Sequence, residues 1–194
     1  MGRKSIADQR RLEIIQAFYR CVVSHGFSQS SIRKVAKEAG VMPSTLHHYF
    51  LDRDEMISQT VEYFTELISS GFVPEKTWAA DDEIRLSEGL GYIFSPAMIN
   101  PEVTGFFLEC CVEARHNPKV RASVAKLFQR FRENILAHMG SISPFKHLND
   151  VEKKGLASMI IAIHEGTELQ WFADPDAVCL EDAMDLTKLL IKKM

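Results

Sequence analysis

The chain has 194 residues, a hydrophobic content of 46%, a charged content of 25% and a formal net charge of −3, all ordinary for a folded globular protein. It contains no apolar run near twenty residues, and its first residues, MGRKSIADQRR, lack the apolar stretch of a signal peptide. We therefore expect no membrane span and a cytoplasmic location. The four cysteines show neither a C-x-x-C pair nor zinc-finger spacing, which argues against structural zinc.

The chain begins with a basic tail and an amphipathic helix. Residues 1–7 form the tail, which could either reach a DNA groove or stay a disordered terminus that attracts phosphates non-specifically. Apolar residues at helical spacing predict the first helix from about Asp8 to His25, and its expected role is to support the segment that follows.

The stretch from 30 to 53, SSIRKVAKEAGVMPSTLHHYFLDR, predicts two short helices joined by a tight turn. Ser30 or Ser31 can cap the first helix, and Gly40 supplies the left-handed conformation that a helix end needs. Pro43 suits the start of the second helix, because its missing N–H costs nothing there. Such a unit is a helix-turn-helix, whose second helix can enter the DNA major groove. An ordinary helical hairpin would show the same spacing.

The distribution of charge favours the DNA-binding interpretation. Residues 1–53 contain nine Lys or Arg against four Asp or Glu, an excess of five positive charges, which leaves −8 for the remainder of a chain with a total of −3. A basic end on an acidic protein is expected when one part of the molecule meets phosphates.

The first fifty-odd residues resemble the DNA-binding domain of the TetR family of bacterial transcriptional regulators. The resemblance rests on a first helix ending in Gly26-Phe27, the SIRKVAKEAGV helix and turn, the STLHHYF helix, and Asp52-Arg53 opening a fourth helix. It implies a homodimer that binds a double-stranded DNA operator and responds to a small-molecule effector. A dimer is also expected because one short recognition helix contacts only a few base pairs.

Nine residues are candidates for DNA contact. Ser31 and Lys34 lie near the positive end of the second helix and suit a phosphate. By resemblance, Arg33 reaches a base edge, and Tyr49 and Arg53 bind phosphates. The outward residues of the third helix are candidates for contacting bases or the sugar-phosphate frame. The set is Ser31, Arg33, Lys34, Ser44, Thr45, His47, His48, Tyr49 and Arg53.

The rest of the chain predicts further helices and no strand. Asp52 and Glu55 suit a capping box before a fourth helix that runs to about Ser70, and Gly71 and Pro74 break it. Five more helical segments follow, starting near Ala80, Pro101, Pro118, Asp150 and Leu180. We therefore predict an all-α protein of about nine helices: a three-helix DNA-binding domain over 1–52 and a helical effector-binding and dimerisation domain over 53–194.

The C-terminal segment HEGTELQWFADP is similar to the helix that builds the dimer interface in TetR relatives of the choline-regulator type. The last two helices of each subunit would then form a four-helix bundle. Their apolar stripes could equally belong to the core of one subunit.

Candidates for an effector pocket are aromatic and apolar residues of the second domain, although each could be plain core. They are Phe64, Phe94, Phe107, Cys110, Phe128, Phe131, Met159, Ile163 and Trp171. Four glutamates would favour a cationic ligand if they faced inward: Glu109, Glu113, Glu165 and Glu168. Adjacent Cys110 and Cys111 are either core residues or a thiol sensor.

We expect no enzymatic activity, no cofactor and no metal site. Glu113 and His116 have the spacing of one di-iron motif, but the second motif that such a site needs is absent. The neighbouring His47 and His48 point about 100° apart on a helix and cannot easily share an ion. His164-Glu165 beside Gly166 is most simply a helix-packing position. The remaining alternative, a helical adaptor that never touches DNA, leaves the basic helix-turn-helix unexplained.

Overall fold

The protein is described here by a computed structural model that covers residues 6–70, 81–140, 142 and 145–193. These residues form nine helices and no strand, which confirms the all-α prediction. The helices are α1 (Ile6–Gln29), α2 (Ile32–Glu38), α3 (Pro43–Tyr49), α4 (Arg53–Ser70), α5 (Asp82–Ile93), α6 (Pro101–Ala114), α7 (Pro118–Gly140), α8 (Asp150–Ala173) and α9 (Leu180–Lys192). Gly71 and Pro74, predicted to break the fourth helix, lie outside the described residues.

The helix ends follow from capping side chains. The Ser31 hydroxyl accepts a hydrogen bond from the Lys34 N–H at the start of α2, so Ser31 rather than Ser30 is the cap. Asp52 accepts from the Glu55 N–H at 2.7 Å. The Glu55 carboxylate in turn accepts from the Leu51 N–H, so the predicted box closes one residue earlier than expected. Asn149 forms a complete capping box at α8.

The chain divides into two compact units, residues 1–67 with 105–127 and residues 68–104 with 128–194. In the first unit α1 packs on α2 and α2 on α3. Its core holds an aromatic cluster in which the Phe106 ring lies 4.7 Å from Tyr19 and 4.8 Å from Phe64, centroid to centroid. The functional boundary at residue 52 stays a prediction, because packing units and functional domains are different divisions.

Two glycines of the first unit adopt conformations that other residues avoid. Gly40 has φ +65°, as the turn between α2 and α3 requires. Gly26 has φ +75° and interrupts α1. Beyond it, the Phe27 N–H donates to the Glu109 carboxylate at 2.8 Å, and a Cβ on Gly26 would meet that carboxylate at 2.9 Å. Glu109 is thereby engaged by the backbone of α1.

In the second unit α9 packs on both α5 and α8. The side chain of His138, from α7, lies against Gly89 of α5 and hydrogen-bonds the Arg85 carbonyl at 2.8 Å. Burial lowers the pKa of His138. A Cβ on Gly89 would overlap the imidazole ring, so this contact depends on glycine.

Gly89→Ala will lower the free energy of unfolding by about 1–3 kcal/mol, because the methyl group displaces the His138 ring and breaks its hydrogen bond. Chemical denaturation measures the change. The matched control is Gly155→Ala, because Gly155 is also helical and no atom lies within 4 Å of an added Cβ there. Alanine at this position will raise the free energy of unfolding by about 0.5–1 kcal/mol. Equal effects at the two positions would contradict the close contact.

Candidate functional sites

The first site is the surface formed by α2, the turn and α3. Leu46 is the buried residue on the inner side of α3. The Val41 N–H donates to the Ala36 carbonyl at 2.9 Å and so joins the turn to α2. The polar residues of α3 remain outside: Ser44, His47 and His48 are exposed and Thr45 is half-buried. This is the outward polar face that a recognition helix needs.

Cationic side chains flank that face. Arg33 and Lys37 are exposed and Lys34 is half-buried, and among the described residues none of them forms an ion pair. The acidic Glu38 on the same helix is bound by Arg20, at 2.8 Å. The positive charges of α2 are therefore free to meet phosphates.

The two residues matched to phosphate contacts have additional internal contacts. Tyr49 is half-buried at the end of α3. Arg53 is half-buried, and its guanidinium donates to the Phe27 carbonyl at 2.5 Å. Since a guanidinium has five N–H donors, this bond leaves others for a phosphate.

The second site is a cavity inside the second unit. The volume available to the centre of a water-sized sphere is about 30 Å³, enough for one or two waters. The walls are mainly aliphatic, with four polar side chains among them. They comprise Ile68, Ser69, Tyr92, Ile93, Met98, Phe131, Asn134, Ile135, Ile160, Ile161 and His164. The Tyr92 hydroxyl donates to the Ile68 carbonyl at 2.7 Å.

Of the nine predicted pocket residues, only Phe131 lines this cavity. Phe64, Phe107 and Cys110 are buried in the first unit. In the second unit Phe94 is buried, and Phe128, Ile163 and Trp171 are half-buried away from the cavity wall. Met159 is 54% exposed. Tyr92, Asn134 and His164 were missed, because isolated polar residues on apolar helices carry no pattern that marks them as cavity walls.

The second unit also has an open groove with acidic residues at one end, yet these residues already have partners. Asp81 caps α5, Asp82 pairs with Arg85, and Glu83 is bound by Lys188 and Lys192. Hydrogen bonds from Lys192 and Lys188 lower the pKa of Glu83. The groove is therefore not a cation site.

A cluster of three titratable side chains lies on α8. His164 and Glu168 are buried, and Glu165 is half-buried. The Thr104 hydroxyl donates to Glu168 Oε1 at 2.6 Å, and Glu168 Oε2 lies 3.7 Å from His164 Nε2. Nδ1 of His164 and Oε2 of Glu165 are buried without a hydrogen-bond partner.

Burial controls the charge of this cluster. It lowers the pKa of His164 to about 4. Burial, and secondarily the Glu168 carboxylate, raises the pKa of Glu165 to about 8. Burial also raises the pKa of Glu168, against the opposing Thr104 hydrogen bond. At neutral pH His164 is therefore uncharged and Glu165 holds its proton.

Glu165→Gln will stabilise the protein increasingly as pH rises from about 5 to 8 in the presence of EDTA. Between the unfolded pKa of 4.5 and the folded pKa of about 8, the folded state binds the proton that the unfolded state releases, so wild-type stability falls as pH rises. The variant has no carboxyl group to release this proton, so its stability does not fall in the same way. By about pH 8 its free energy of unfolding, measured by urea denaturation, will exceed that of the wild type by about 2 kcal/mol or more. Exposed Glu133→Gln is the control, and a pH-independent advantage would contradict the assignment.

The outer face of α8 and α9 is apolar. Leu186 is 60% exposed and Leu190 is 58% exposed, one turn apart on α9, with Leu189 beside them. Met159, Leu169 and Phe172 are exposed on α8. The predicted stripes thus reach the surface as well as the core, and such a surface is typical of a protein interface.

The cysteines are all free thiols. Cys110 is buried, and burial raises its pKa well above the ordinary value. Cys111 is half-buried. A protonated, buried thiol reacts slowly, so of the two alternatives a core residue suits Cys110 better than a thiol sensor.

Two family profiles match the chain. Residues 14–60 match the profile described as bacterial regulatory proteins, tetR family, and residues 83–194 match that of the BetI-type transcriptional repressor, C-terminal. Similar proteins include the regulator BetI of Rhizobium meliloti, 25% identical over 84% of this chain and 80% of the relative. A nicotine-responsive repressor of Paenarthrobacter nicotinovorans is 22% identical over 91% of this chain and 90% of its own.

Solved structures share the fold. A TetR transcription regulator from Haloarcula marismortui has a TM-score of 0.80 at 22% identity, covering 96% of this chain and 98% of its own. A transcriptional regulator from Saccharomonospora viridis, solved in complex with choline, has a TM-score of 0.77 at 18% identity, covering 95% of this chain and 96% of its own. Across the described helices, none is long and apolar enough to cross a membrane. The chain belongs to the TetR family of DNA-binding transcriptional regulators, with a C-terminal region of the BetI-type repressors.

Proposed function

We propose that this regulator is a homodimeric repressor that a small molecule releases from a palindromic operator. The observation that carries the proposal is the outward polar face of α3 beside the unpaired cations of α2. In this arrangement Ser31, Lys34, Tyr49 and Arg53 hold phosphates, whereas Arg33 and the outward residues of α3 contact bases. The DNA-binding function belongs to residues 1–52, and residues 53–194 bind effector and partner.

The homodimer is supported by the exposed apolar face of α8 and α9. Joining two such faces removes the leucines of α9 from water and forms a four-helix bundle. A two-fold dimer presents two recognition helices to half-sites about 34–36 Å apart, or a multiple of that distance.

The effector site is supported by the cavity of the second unit. Its aliphatic walls and the polar groups of Tyr92, Asn134, Ser69 and His164 suit a mainly apolar molecule with one or two hydrogen-bonding groups. None of the four glutamates expected to favour a cation lines this cavity, so the lining gives no support to a cationic effector. The choline bound by the S. viridis regulator supports a small-molecule ligand for the fold, not choline for this chain.

Release follows from the size of the cavity. Its volume of about 30 Å³ is far below the roughly 300 Å³ or more of a drug-sized site. An effector therefore binds a form of the protein with a wider cavity. The effector can shift the dimer toward that form only by the difference between its binding free energies for the two forms. In that form the two recognition helices no longer fit adjacent grooves. The regulator acts on DNA in the cytoplasm and catalyses no reaction.

Transcription in vitro from a promoter containing the operator tests the proposal. The protein should reduce the transcript, and a compound that raises its thermal midpoint should restore it. Asn134→Leu keeps the size of a cavity side chain but removes its hydrogen bonds, so it should repress normally and need more compound for release. Increased transcription would show an activator instead, and release unaffected by Asn134→Leu would place the effector elsewhere.

A further inference from the structure

We propose that His164, Glu165 and Glu168 form a binding site for one divalent transition-metal ion, of the class of Zn²⁺ or Mn²⁺. One potential ligand atom from each side chain lies within 4.8 Å of the other two. The i, i+4 spacing places His164 and Glu168 on one face of α8. Glu165 is the helical neighbour of His164, but its longer side chain brings a carboxylate oxygen within the same 4.8 Å. His164 also lines the cavity of the proposed effector site, but the metal titration below uses no effector, so its outcome does not depend on that proposal.

The distances are close to those of a metal site. Ligand atoms bound at about 2.1 Å to a tetrahedral ion stand roughly 3.4 Å from one another. Glu168 Oε2 and His164 Nε2 are already 3.7 Å apart. Side-chain rotations that move each terminal atom by about 1 Å are therefore enough to close the site around an ion of this size.

The cluster has the supporting hydrogen bond that metal ligands commonly show. The buried Thr104 hydroxyl donates to Glu168 Oε1 at 2.6 Å and leaves Oε2 turned toward His164. A carboxylate held in this way presents one oxygen in a fixed direction, which favours coordination. Thr104 lies in the part of α6 that belongs to the second unit, so the contact joins two segments of that unit.

Unsatisfied polar atoms indicate that the cluster lacks a partner. Nδ1 of His164 and Oε2 of Glu165 are buried with no hydrogen bond, although His164 is only 4% exposed. In the described part of the chain, neither carboxylate forms an ion pair with a Lys or Arg. A divalent ion bound through His164 Nε2 would neutralise both carboxylates and give the orphaned Glu165 oxygen a partner, since buried polar groups are rarely left without partners. Nδ1 of His164 would then carry the ring proton.

The donor set and the space select the class of ion. One imidazole and two carboxylates suit Zn²⁺, a borderline ion, and Mn²⁺, a harder ion that favours carboxylate oxygens. His164 lines the small cavity, whose volume of about 30 Å³ can hold the water that completes the coordination shell. An organic ammonium needs more room than this. Side chains must be deprotonated to bind a metal ion, so binding releases protons.

Titration of the chelator-treated full-length protein with Mn²⁺, Co²⁺ and Zn²⁺ tests the site by calorimetry and, for Co²⁺, by absorption. We expect one equivalent to bind, and Glu168→Gln or Glu165→Gln to weaken binding at least 10-fold. Thr104→Val should weaken it about 10- to 100-fold, because the carboxylate loses its support, and Thr104→Ser should restore it. His116→Asn changes an exposed histidine two residues beyond the end of α6. This variant is the control and should bind metal as the wild type does.

A melting curve for each variant shows whether that variant folds. If a glutamine variant does not fold, the comparison of Thr104→Val with Thr104→Ser still tests the site. No binding by the wild type would overturn the proposal. Equal binding by the wild type and the glutamine variants would also overturn it, since the ion would then sit on other histidines or thiols. Binding of choline but not of metal, lost in Glu165→Gln, would replace the metal with an organic cation.

Discussion

Leu186→Glu combined with Leu190→Glu will convert the protein to a monomer and lower its affinity for the palindromic operator by more than about 100-fold. Both leucines are exposed in one subunit and lie on the same face of α9. Four carboxylates placed in a two-fold interface would lose their hydration without gaining partners. A monomer has one recognition helix and loses the contribution of the second half-site. Light scattering should change from twice the 22.0 kDa chain mass to that mass.

The control for this pair is Val112→Glu, which places one carboxylate at an exposed apolar position of α6. This variant should keep the mass and DNA affinity of the wild type. A wild-type protein that is already monomeric while binding the palindrome tightly would contradict the α8 and α9 interface. So would a dimer that survives both glutamates.

Thr45→Ala combined with His48→Ala will lower operator affinity by at least about 30-fold and leave binding to random DNA nearly unchanged. Each well-formed base contact contributes about 1–3 kcal/mol of discrimination. Both side chains lie on the outer face of α3 and contribute little to the core. Fluorescence anisotropy on operator and scrambled duplexes measures both affinities.

Lys34→Ala provides the contrast to that pair. Loss of a phosphate contact should weaken operator and scrambled DNA alike and reduce the salt slope by about one per subunit. His25→Ala, an exposed histidine of α1, is the neutral control. If the Thr45 and His48 pair weakened both duplexes equally, those residues would be phosphate contacts rather than base contacts.

The helices and their order could be predicted because the signals are local. Ser31, Asp81 and Asn149 cap helices where short polar side chains precede apolar periodicity, and Gly40 adopts the expected positive φ. These choices depend on neighbours within about four residues along the chain. A single sequence contains that information, so fold class and helix starts follow from it.

The cavity could not be predicted, because it depends on which face of a mainly apolar helix turns inward. Residues 159–163 of α8 are all apolar, so periodicity does not distinguish among them. In the structure Ile160 and Ile161 are buried in the cavity wall, whereas Met159 lies on the outer face. That difference is set by the cavity-lining residues of α5 and α7, which are distant in sequence from Met159.

The buried cluster of His164, Glu165 and Glu168 could not be predicted from the sequence either. Glutamates on an otherwise apolar helix are usually solvated, and Glu168 is instead buried through a hydrogen bond from Thr104, sixty-four residues away. The i, i+4 spacing of His164 and Glu168 was the available signal. Only the hydrogen bond from Thr104 shows that this spacing belongs to a buried cluster and not to two solvated side chains.

A mobility shift of the purified protein on the DNA upstream of its own gene, across a salt series, tests the central claim most directly. The Thr45→Ala/His48→Ala variant is run alongside, and a genome-wide binding selection follows if that fragment is not bound. The account predicts a saturable shift on a palindrome that weakens with salt and is lost in the variant. No specific binding to any genomic fragment would contradict it and would favour a helical adaptor that does not bind DNA.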